Sequence, residues 1–410
     1  MPKITRKDLL QTPISQVEIT KTQSVADLID AMKNMSFQAR NLGTCATVWE
    51  NMLTDKERPT IILGLAGCAQ AAGMRHLLRD LIVNGLVDVI VTTGSQPYQD
   101  LYAARGHNFW RSSPEADDLL LREHFLDRLY DTLVDEEAFR DTDEYLAAVL
   151  AELPPRAYTT REIYEHLGKH FDDPNSWVVA AAKHGVPIFC PALNDSSLGI
   201  GMVGEYVKAK EEGREYLWID PIRDAYELAQ IKAKSKSTGV IYIAGGVSKN
   251  YIQQTEVISE ILGYNPGGHQ YAIQITVDQP QWGGLSGCTF KEAQSWGKIA
   301  VNAKHSQAYV DMSIGLPLVA AALIQKKAAW KSRKTLKMVW KGDELVSFDG
   351  GKTKALGKKE AVTLPSGKKK AEGQGSGKPK GPAKAKKTMA AAARKASAAP
   401  GEKPAVKKSK

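Results

Sequence analysis

Pro59-Thr60-Ile61-Ile62-Leu63-Gly64-Leu65 is an apolar, β-branched run bounded by a proline before it and a Gly64/Gly67 turn after it. A run of this length and composition reads as a strand buried on both faces. Helical spacing follows over residues 74–84, where Leu77, Leu78, Leu81 and Ile82 form one stripe. Then comes Val87-Asp88-Val89-Ile90-Val91-Thr92, a second strand that ends in Thr93-Gly94-Ser95. Strand, helix and strand at this spacing make a βαβ unit, which requires parallel strands and a right-handed crossover.

Working outward, Ser24 is placed to cap a helix through Val25, Leu28, Ile29 and Met32, and a second helix is predicted over 37–52. Helices are also predicted over 113–132, 143–153, 160–171, 176–183 (closed by Gly185), 221–234, 251–262 and 316–325. Strands are predicted at 187–190, 216–219, 240–243, 271–277 and 308–310. Five or six strands alternating with helices give an α/β fold, a doubly wound, mostly parallel, Rossmann-like sheet. Ligands of such sheets bind beyond the carboxyl ends of the strands. Thr93-Gly94, Asn194-Asp195, Gly245-Gly246 and Asp311 all follow predicted strands.

Charge divides the chain. From Gly351 onward there are 17 Lys, one Arg and three Glu, a net of +15, so the whole-chain +9 leaves −6 for the residues before it. The expected organisation is a globular NAD-binding catalytic domain over 1–335, a connector over 336–350 and a disordered Lys/Ala/Pro-rich tail over 351–410. A cationic tail attracts nucleic acid without reading its sequence; a plain solubilising appendage is the other reading. Cys45, Cys68, Cys190 and Cys288 form no CxxC pair and read as reduced thiols. Residues 1–7 lack the apolar run of a secretory signal, and no run nears the length of a membrane span. The expected compartment is the cytoplasm. No HExxH, GxSxG or GxxxxGK[ST] pattern occurs, so zinc-protease, nucleophile-elbow and P-loop chemistry have no support.

One stretch carries distinct chemistry: Ser286-Gly287-Cys288-Thr289-Phe290-Lys291-Glu292-Ala293-Gln294-Ser295-Trp296-Gly297-Lys298-Ile299. A lysine near its ordinary pKa of ~10.4 is protonated at neutral pH and is no nucleophile. Packing Lys298 beside the Trp296 indole and away from water would disfavour the ammonium, the usual route to a Schiff-base lysine. Glu292 could hold a cationic substrate or shuttle a proton, and Gly297 would allow close approach of a ligand. The ordinary alternative is a half-buried aromatic beside a solvated lysine. Gly245-Gly246 would present backbone amides to a dinucleotide at a helix start or would be a simple turn. Asp195 and Asp311 read equally as strand-end caps.

Glu292 to Ile299 resembles the active-site lysine segment of the deoxyhypusine synthase family. Four further blocks fit in order: Val91-Thr92-Thr93-Gly94, Pro191-Ala192-Leu193-Asn194-Asp195-Ser196-Ser197-Leu198-Gly199, Ile243-Ala244-Gly245-Gly246-Val247-Ser248-Lys249, and Ala308-Tyr309-Val310-Asp311-Met312-Ser313 with Leu316-Pro317-Leu318. The resemblance implies a cytoplasmic homotetramer with active sites between subunits. It also implies a transferase of alkyl groups other than methyl, with NAD as cofactor. Thr93, Gly94, Asp195, Gly245, Gly246, Ser286 and Asp311 would hold the cofactor. A polyamine such as spermidine would be oxidised beside a secondary amine, Lys298 would hold the aminobutyl group as an imine, and an acceptor amine would displace it. Lys298, Glu292 and Trp296 would be catalytic, with Glu292, Trp296, Asn250 and Gln99 against the substrate. Gln99 stands where the family has a glutamate, Ile200 and Leu285 where it has aspartates, and Asn250 where it has a histidine. Lost carboxylates weaken a site built for a long polycation. The expectation is therefore a different amine donor or acceptor from that of true deoxyhypusine formation, as in a homospermidine-synthase-like enzyme. The remaining readings are a non-catalytic NAD- or polyamine-binding scaffold with a nucleic-acid-binding tail and a plain dehydrogenase.

Overall fold

The computed structural model describes residues 5–333, 336–349 and the backbone of Gly351 and Lys352. Six parallel strands form the central sheet: β1 (Thr60–Leu65), β2 (Val89–Thr92), β3 (Ile188–Phe189), β4 (Thr238–Ile243), β5 (His269–Thr276) and β6 (Ile299–Tyr309). Their order across the sheet is β6-β5-β4-β1-β2-β3. The chain builds outward from β1 through β2 to β3, then returns to the other side of β1 for β4, β5 and β6. The order therefore reverses between β1 and β4, and the crevice for a ligand in such a sheet opens there.

Twelve helices matter for the site: α1 (Val25–Met32), α2 (Phe37–Thr54), α3 (Arg75–Val83), α4 (Ser95–Ala104), α5 (Glu136–Ala151), α6 (Thr160–His170), α7 (Trp177–His184), α8 (Ser197–Glu211), α9 (Pro221–Lys234), α10 (Gly246–Ile261), α11 (Phe290–Ser295) and α12 (Met312–Gln325). Alternation along the strands sends side chains to opposite faces. Ile61, Leu63, Leu65, Ile241, Ile243, Ile273 and Ile275 join one apolar layer with α2 and α12; Ile62, Val240, Tyr242 and Ala272 join another with α9, α10 and α11. Both faces are covered, which is why the strands read as continuous apolar runs. None of the described helices is long and apolar enough to cross a membrane.

Residues 113–132 are not the predicted helix. They hold a short helix, Asp118–Glu123, flanked by antiparallel strands Trp110–Arg111, Leu126–Leu129 and Thr132–Asp135. Phe125 and Tyr130 take left-handed φ values of 52° and 58°, and no helix continues through either. The strand predicted at 216–219 is reduced to Trp218–Ile219, which pairs with Ala157–Tyr158 outside the central sheet. The last strand is longer than its predicted 308–310 and starts at Ile299.

The stretch read as a connector is built as β7 (Met338–Lys341) and β8 (Glu344–Phe348), an antiparallel hairpin that buries Leu345 against the α9 side. Gly351–Lys352 adds a short third strand, β9, and the rest of the tail, 353–410, lies outside the described residues. One carboxylate fastens this region to the sheet. Asp88 has no solvent exposure and accepts from Arg58 (2.8 Å twice), Arg333 (2.6 Å) and the Ile61 amide (2.9 Å). Burial alone would raise its pKa, but the Arg333 and Arg58 guanidiniums outweigh that and hold it below the usual carboxylate range.

Asp88→Ala strands a buried guanidinium at Arg333, so an equilibrium urea titration should show about 3–5 kcal/mol lost stability. Because the folded pKa is depressed, the Asp88 contribution is complete above ~pH 4 and fades as pH falls through the folded value. The variant should therefore differ most from the parent at neutral pH and least in acid.

Candidate functional site

The Lys298 segment is shaped by its own backbone. Thr289 caps α11, accepting from the Glu292 amide at 3.0 Å, and the helix ends after Ser295. Gly297 then turns left-handed at φ 72°, with its amide on the Gln294 carbonyl (3.0 Å) and the Lys298 amide on the Ala293 carbonyl (3.1 Å). This is a Schellman cap. The glycine is there for its φ, and a Cβ added to it would meet nothing within 4 Å. The cap reverses the chain so that Lys298 leads directly into β6, its carbonyl accepting from the His269 amide at 3.0 Å.

Lys298 faces a cleft of ≈ 180 Å³ lined by Asn250, Gln253, Leu285, Cys288, Glu292 and Trp296, among others. Its Nζ stands 5.4 Å from the Trp296 ring centroid, a cation–π distance. Lys298 is half-buried, while Trp296 is 67% exposed in the isolated chain, so the indole is a rim of the cleft and not a lid. Glu292, on the first turn of α11, supplies the carboxylate of the lining.

A second lysine, overlooked in the sequence, lies beneath this cleft. Lys249, on the first turn of α10, is 1% exposed. It donates to Gln274 Oε1 (2.8 Å), the Ser286 carbonyl (3.1 Å) and the Cys288 carbonyl (2.6 Å). Gln274 in turn donates from Nε2 to the Ala244 and Ser286 carbonyls, both at 2.7 Å, and accepts from Gln307 at 2.9 Å. Burial pushes Lys249 down to about 8, against the opposing pull of Cys288, Glu292 and Asp278. Three acceptors take all three N–H bonds of an ammonium; a neutral amine has two N–H bonds, and its lone pair would face an oxygen. The arrangement is built for the charged form.

Glycine spacing sets the neighbouring crevice. A Cβ on Gly245 would lie 2.4 Å from Ser286 Cβ, and one on Gly94 would lie 2.5 Å from Ser196. Both contacts require glycine. Ala244 is held left-handed at φ 60°, and α10 begins at Gly246 with no side-chain cap on its amides. Ser286, close to the Gly245 turn, bonds through Oγ to Asp278. Thr93 Oγ1 lies 3.3 Å from Ser95 Oγ at the end of β2. Asp195 is exposed just before α8, whose cap is Ser196, and Asp311 caps α12 through the Ser313 amide (2.8 Å). Gln99 is buried on α4 with Oε1 unpaired. The Lys298 cleft thus gathers Glu292, Trp296 and Asn250; Thr93, Gly94, Gly245, Gly246 and Asp311 stand at the ends of β2, β4 and β6, Asp195 ahead of α8, Ser286 on the loop between β5 and α11, and Gln99 within α4.

Residues 27–323 match the family model described as deoxyhypusine synthase. A Methanosarcina mazei protein named "Probable deoxyhypusine synthase 2" is 44% identical over 337 residues, covering 81% of this chain and 95% of that protein. The Coxiella burnetii "Deoxyhypusine synthase-like protein" is 40% identical over 339 residues, covering 81% and 94%. In three dimensions, the "Crystal Structure of a putative deoxyhypusine synthase from Entamoeba histolytica" superposes with a TM-score of 0.50 at 18% identity, over 75% of this chain and 96% of that one, a likeness of fold. With its family model matched over most of the chain and its curated relatives spanned almost end to end, the protein belongs to the deoxyhypusine synthase family of transferases.

Proposed function

We propose that the protein transfers an aminoalkyl group from a polyamine to an amine acceptor through an imine on Lys298. The observation that carries this reading is the division of labour between two neighbouring lysines. Lys249 is fixed by three acceptors and cannot leave them without exposing buried carbonyls, a cost of about 1–3 kcal/mol each. Lys298 lines the open cleft beside a carboxylate and an indole. In this reading its Nζ attacks the oxidised carbon of the donor, the donor's amine leaves, and the acceptor amine later displaces the lysine. Glu292 holds the donor's ammonium and takes a proton from the Lys298 ammonium as the amine becomes nucleophilic. Trp296 packs along the methylene chain and shields the cation.

NAD, when bound, supplies the acceptance of a hydride and its return, so the net redox change is zero. The chain fits that cofactor: a glycine turn that a Cβ would close, uncapped amides at the start of α10, and Thr93 and Gly94 beyond β2. Gly245, Gly246 and Ser286 would hold one part of it and Thr93, Gly94, Asp195 and Asp311 the rest. The neutral Gln99, Asn250 and Leu285 support a donor or acceptor other than that of true deoxyhypusine formation, because a long polycation needs a paired charge for each buried nitrogen. Trp296 on the cleft lining is 67% exposed, and Trp282 and Val301, close in sequence to lining residues Gly283 and Lys298, are 70% and 92% exposed, which supports a second copy covering this face in a tetramer.

Incubation with NAD and spermidine followed by borohydride should leave a covalent aminoalkyl adduct on the peptide that contains Lys298. Lys298→Ala should retain NAD binding, lose the adduct and lose transfer by at least a thousandfold; adduct formation on another residue would refute the assignment. A screen of small diamine acceptors with product mass analysis identifies the acceptor.

Lys249 gives a separate signature. Its folded pKa, about 8, lies below the unfolded ~10.4, so the unfolded chain binds more protons between these values and stability should rise with pH across that window. Lys249→Met should flatten that rise in chemical unfolding measured from pH 7 to pH 10.

A further inference from the structure

The opposite end of the sheet holds a cavity that no step above uses. It lies where β1 and β4 begin, at Thr60 and Thr238, away from the crevice at their carboxyl ends. Three stretches enclose it: 56–60 ahead of β1, 234–236 after α9, and residues 336 and 348–349 at the two ends of the β7–β8 hairpin. Its volume is ≈ 360 Å³, against ≈ 180 Å³ for the Lys298 cleft. Lys56, Arg58, Lys234 and Lys236 line it, with only two carboxylates, Glu57 and Asp349, among them. Leu336 and Phe348 supply its apolar part.

Not all of these groups are already matched. Arg58 is held by Asp88, which Arg333 shares, and Asp349 accepts from the Lys337 amide at 3.0 Å. Lys234 is 9% exposed, and its Nζ donates to Gln230 Oε1 (2.8 Å) and to the Leu345 carbonyl (2.6 Å). An ammonium has three N–H bonds. The third finds no acceptor in hydrogen-bond range, since Glu344 stands 3.8 Å away. Burial accordingly holds the Lys234 pKa below its ordinary value, and Glu344 only partly opposes the shift. The amines of Lys56 and Lys236, both exposed residues, have no hydrogen bond or ion pair among the described residues. The hydroxyls of Thr60 and Ser235 are paired with each other at 2.7 Å, and Ser235 donates onward to the Ile231 carbonyl. The open donors are therefore the three lysines.

Three amine donors call for an acceptor-only group with several oxygens. A phosphate monoester carries about −1.5 to −2 charges at neutral pH and three acceptor oxygens, whereas a carboxylate brings one charge and two oxygens. Bare phosphate would leave Leu336 and Phe348 uncovered; an aromatic or apolar ester body would cover them. A polyamine would be repelled by the same lysines. We propose that this cavity binds a phosphate monoester with an aromatic or apolar body. Lys234 is its buried anchor, Lys56 and Lys236 approach from the solvent side, and Phe348 packs on the body. Because both ends of the hairpin belong to the lining, the bound ligand ties β7 and β8 to the beginnings of β1 and β4. Neither Lys298 nor the crevice takes part, so the site stands or falls apart from the transfer reading.

Calorimetry on the full chain with phenyl phosphate, inorganic phosphate and phenol tests the site. Phenyl phosphate should bind at one site per chain, about tenfold more tightly than inorganic phosphate, and phenol should not bind at the same concentrations. The double variant Lys56→Glu/Lys236→Glu removes no buried contact. It should weaken phenyl phosphate by at least about tenfold while leaving thermal unfolding of the ligand-free protein unchanged. Hydrogen exchange with phenyl phosphate bound should slow amides over 336–349 and leave those over 245–250 as they were. A parent that does not bind phenyl phosphate would overturn the proposal. So would binding that the double variant retains, the mark of the lysine-rich tail, or protection over 245–250 in place of 336–349, the mark of the crevice.

Discussion

A buried ammonium holds this site together. Lys249 is removed from water at the start of α10, and only its bonds to Gln274 and to the carbonyls of Ser286 and Cys288 make that tolerable. An unpaired charge in that place would cost several kcal/mol, whereas hydrogen bonds from a charged donor return about 1.5–3 kcal/mol each. The contest is close, which is why burial still pushes its pKa down to about 8. What the bonds secure is the path of residues 286–288 across the ends of β4 and β5. Gln274 repeats the same grip from the sheet, and Gln307 extends it to the Phe290 amide at the start of α11. The loop that leads to Lys298 is thereby fixed from three elements distant in sequence.

The sheet order sets where this happens. β4 and β1 are neighbours across the reversal, so the Gly245 turn, the turn after β1 and the end of β2 open on the same side. The glycines at 94 and 245 let the loops at 196 and 286 close onto them, and a methyl at either place would force the loops apart. One side of the crevice is then glycine and backbone amide, suited to a dinucleotide, while the Lys298 cleft is a carboxylate, an amine and an indole, suited to an amine.

Much of this was legible because it is local. The apolar runs at 60–65, 89–92 and 238–243 carry their own pattern, and so does the segment from Thr289 to Lys298, where cap, glycine and lysine are adjacent in the chain. Residues 113–132 misled because their leucines have helical spacing, yet Phe125 and Tyr130 adopt left-handed φ and the chain turns into antiparallel strands there. Lys249 was passed over for a different reason. Its meaning depends on Gln274, 25 residues away on a strand of the sheet, and a glutamine inside an apolar strand looks like an ordinary interruption. Asp88, Arg58 and Arg333 are likewise joined only in three dimensions, and the unpaired Oε1 of buried Gln99 has no sequence signature. Gly297 was read as room for a ligand, but its φ shows that the helix cap requires it.

Hydrogen exchange by mass spectrometry on Lys249→Met tests the central claim most directly. If the buried ammonium pins the loop, amides over 283–292 should lose protection by tenfold or more while those of β1, β2 and α3 stay unchanged. Unaltered protection over 283–292 would show that the loop holds its place without the charge, and the account of how Lys298 is positioned would be wrong.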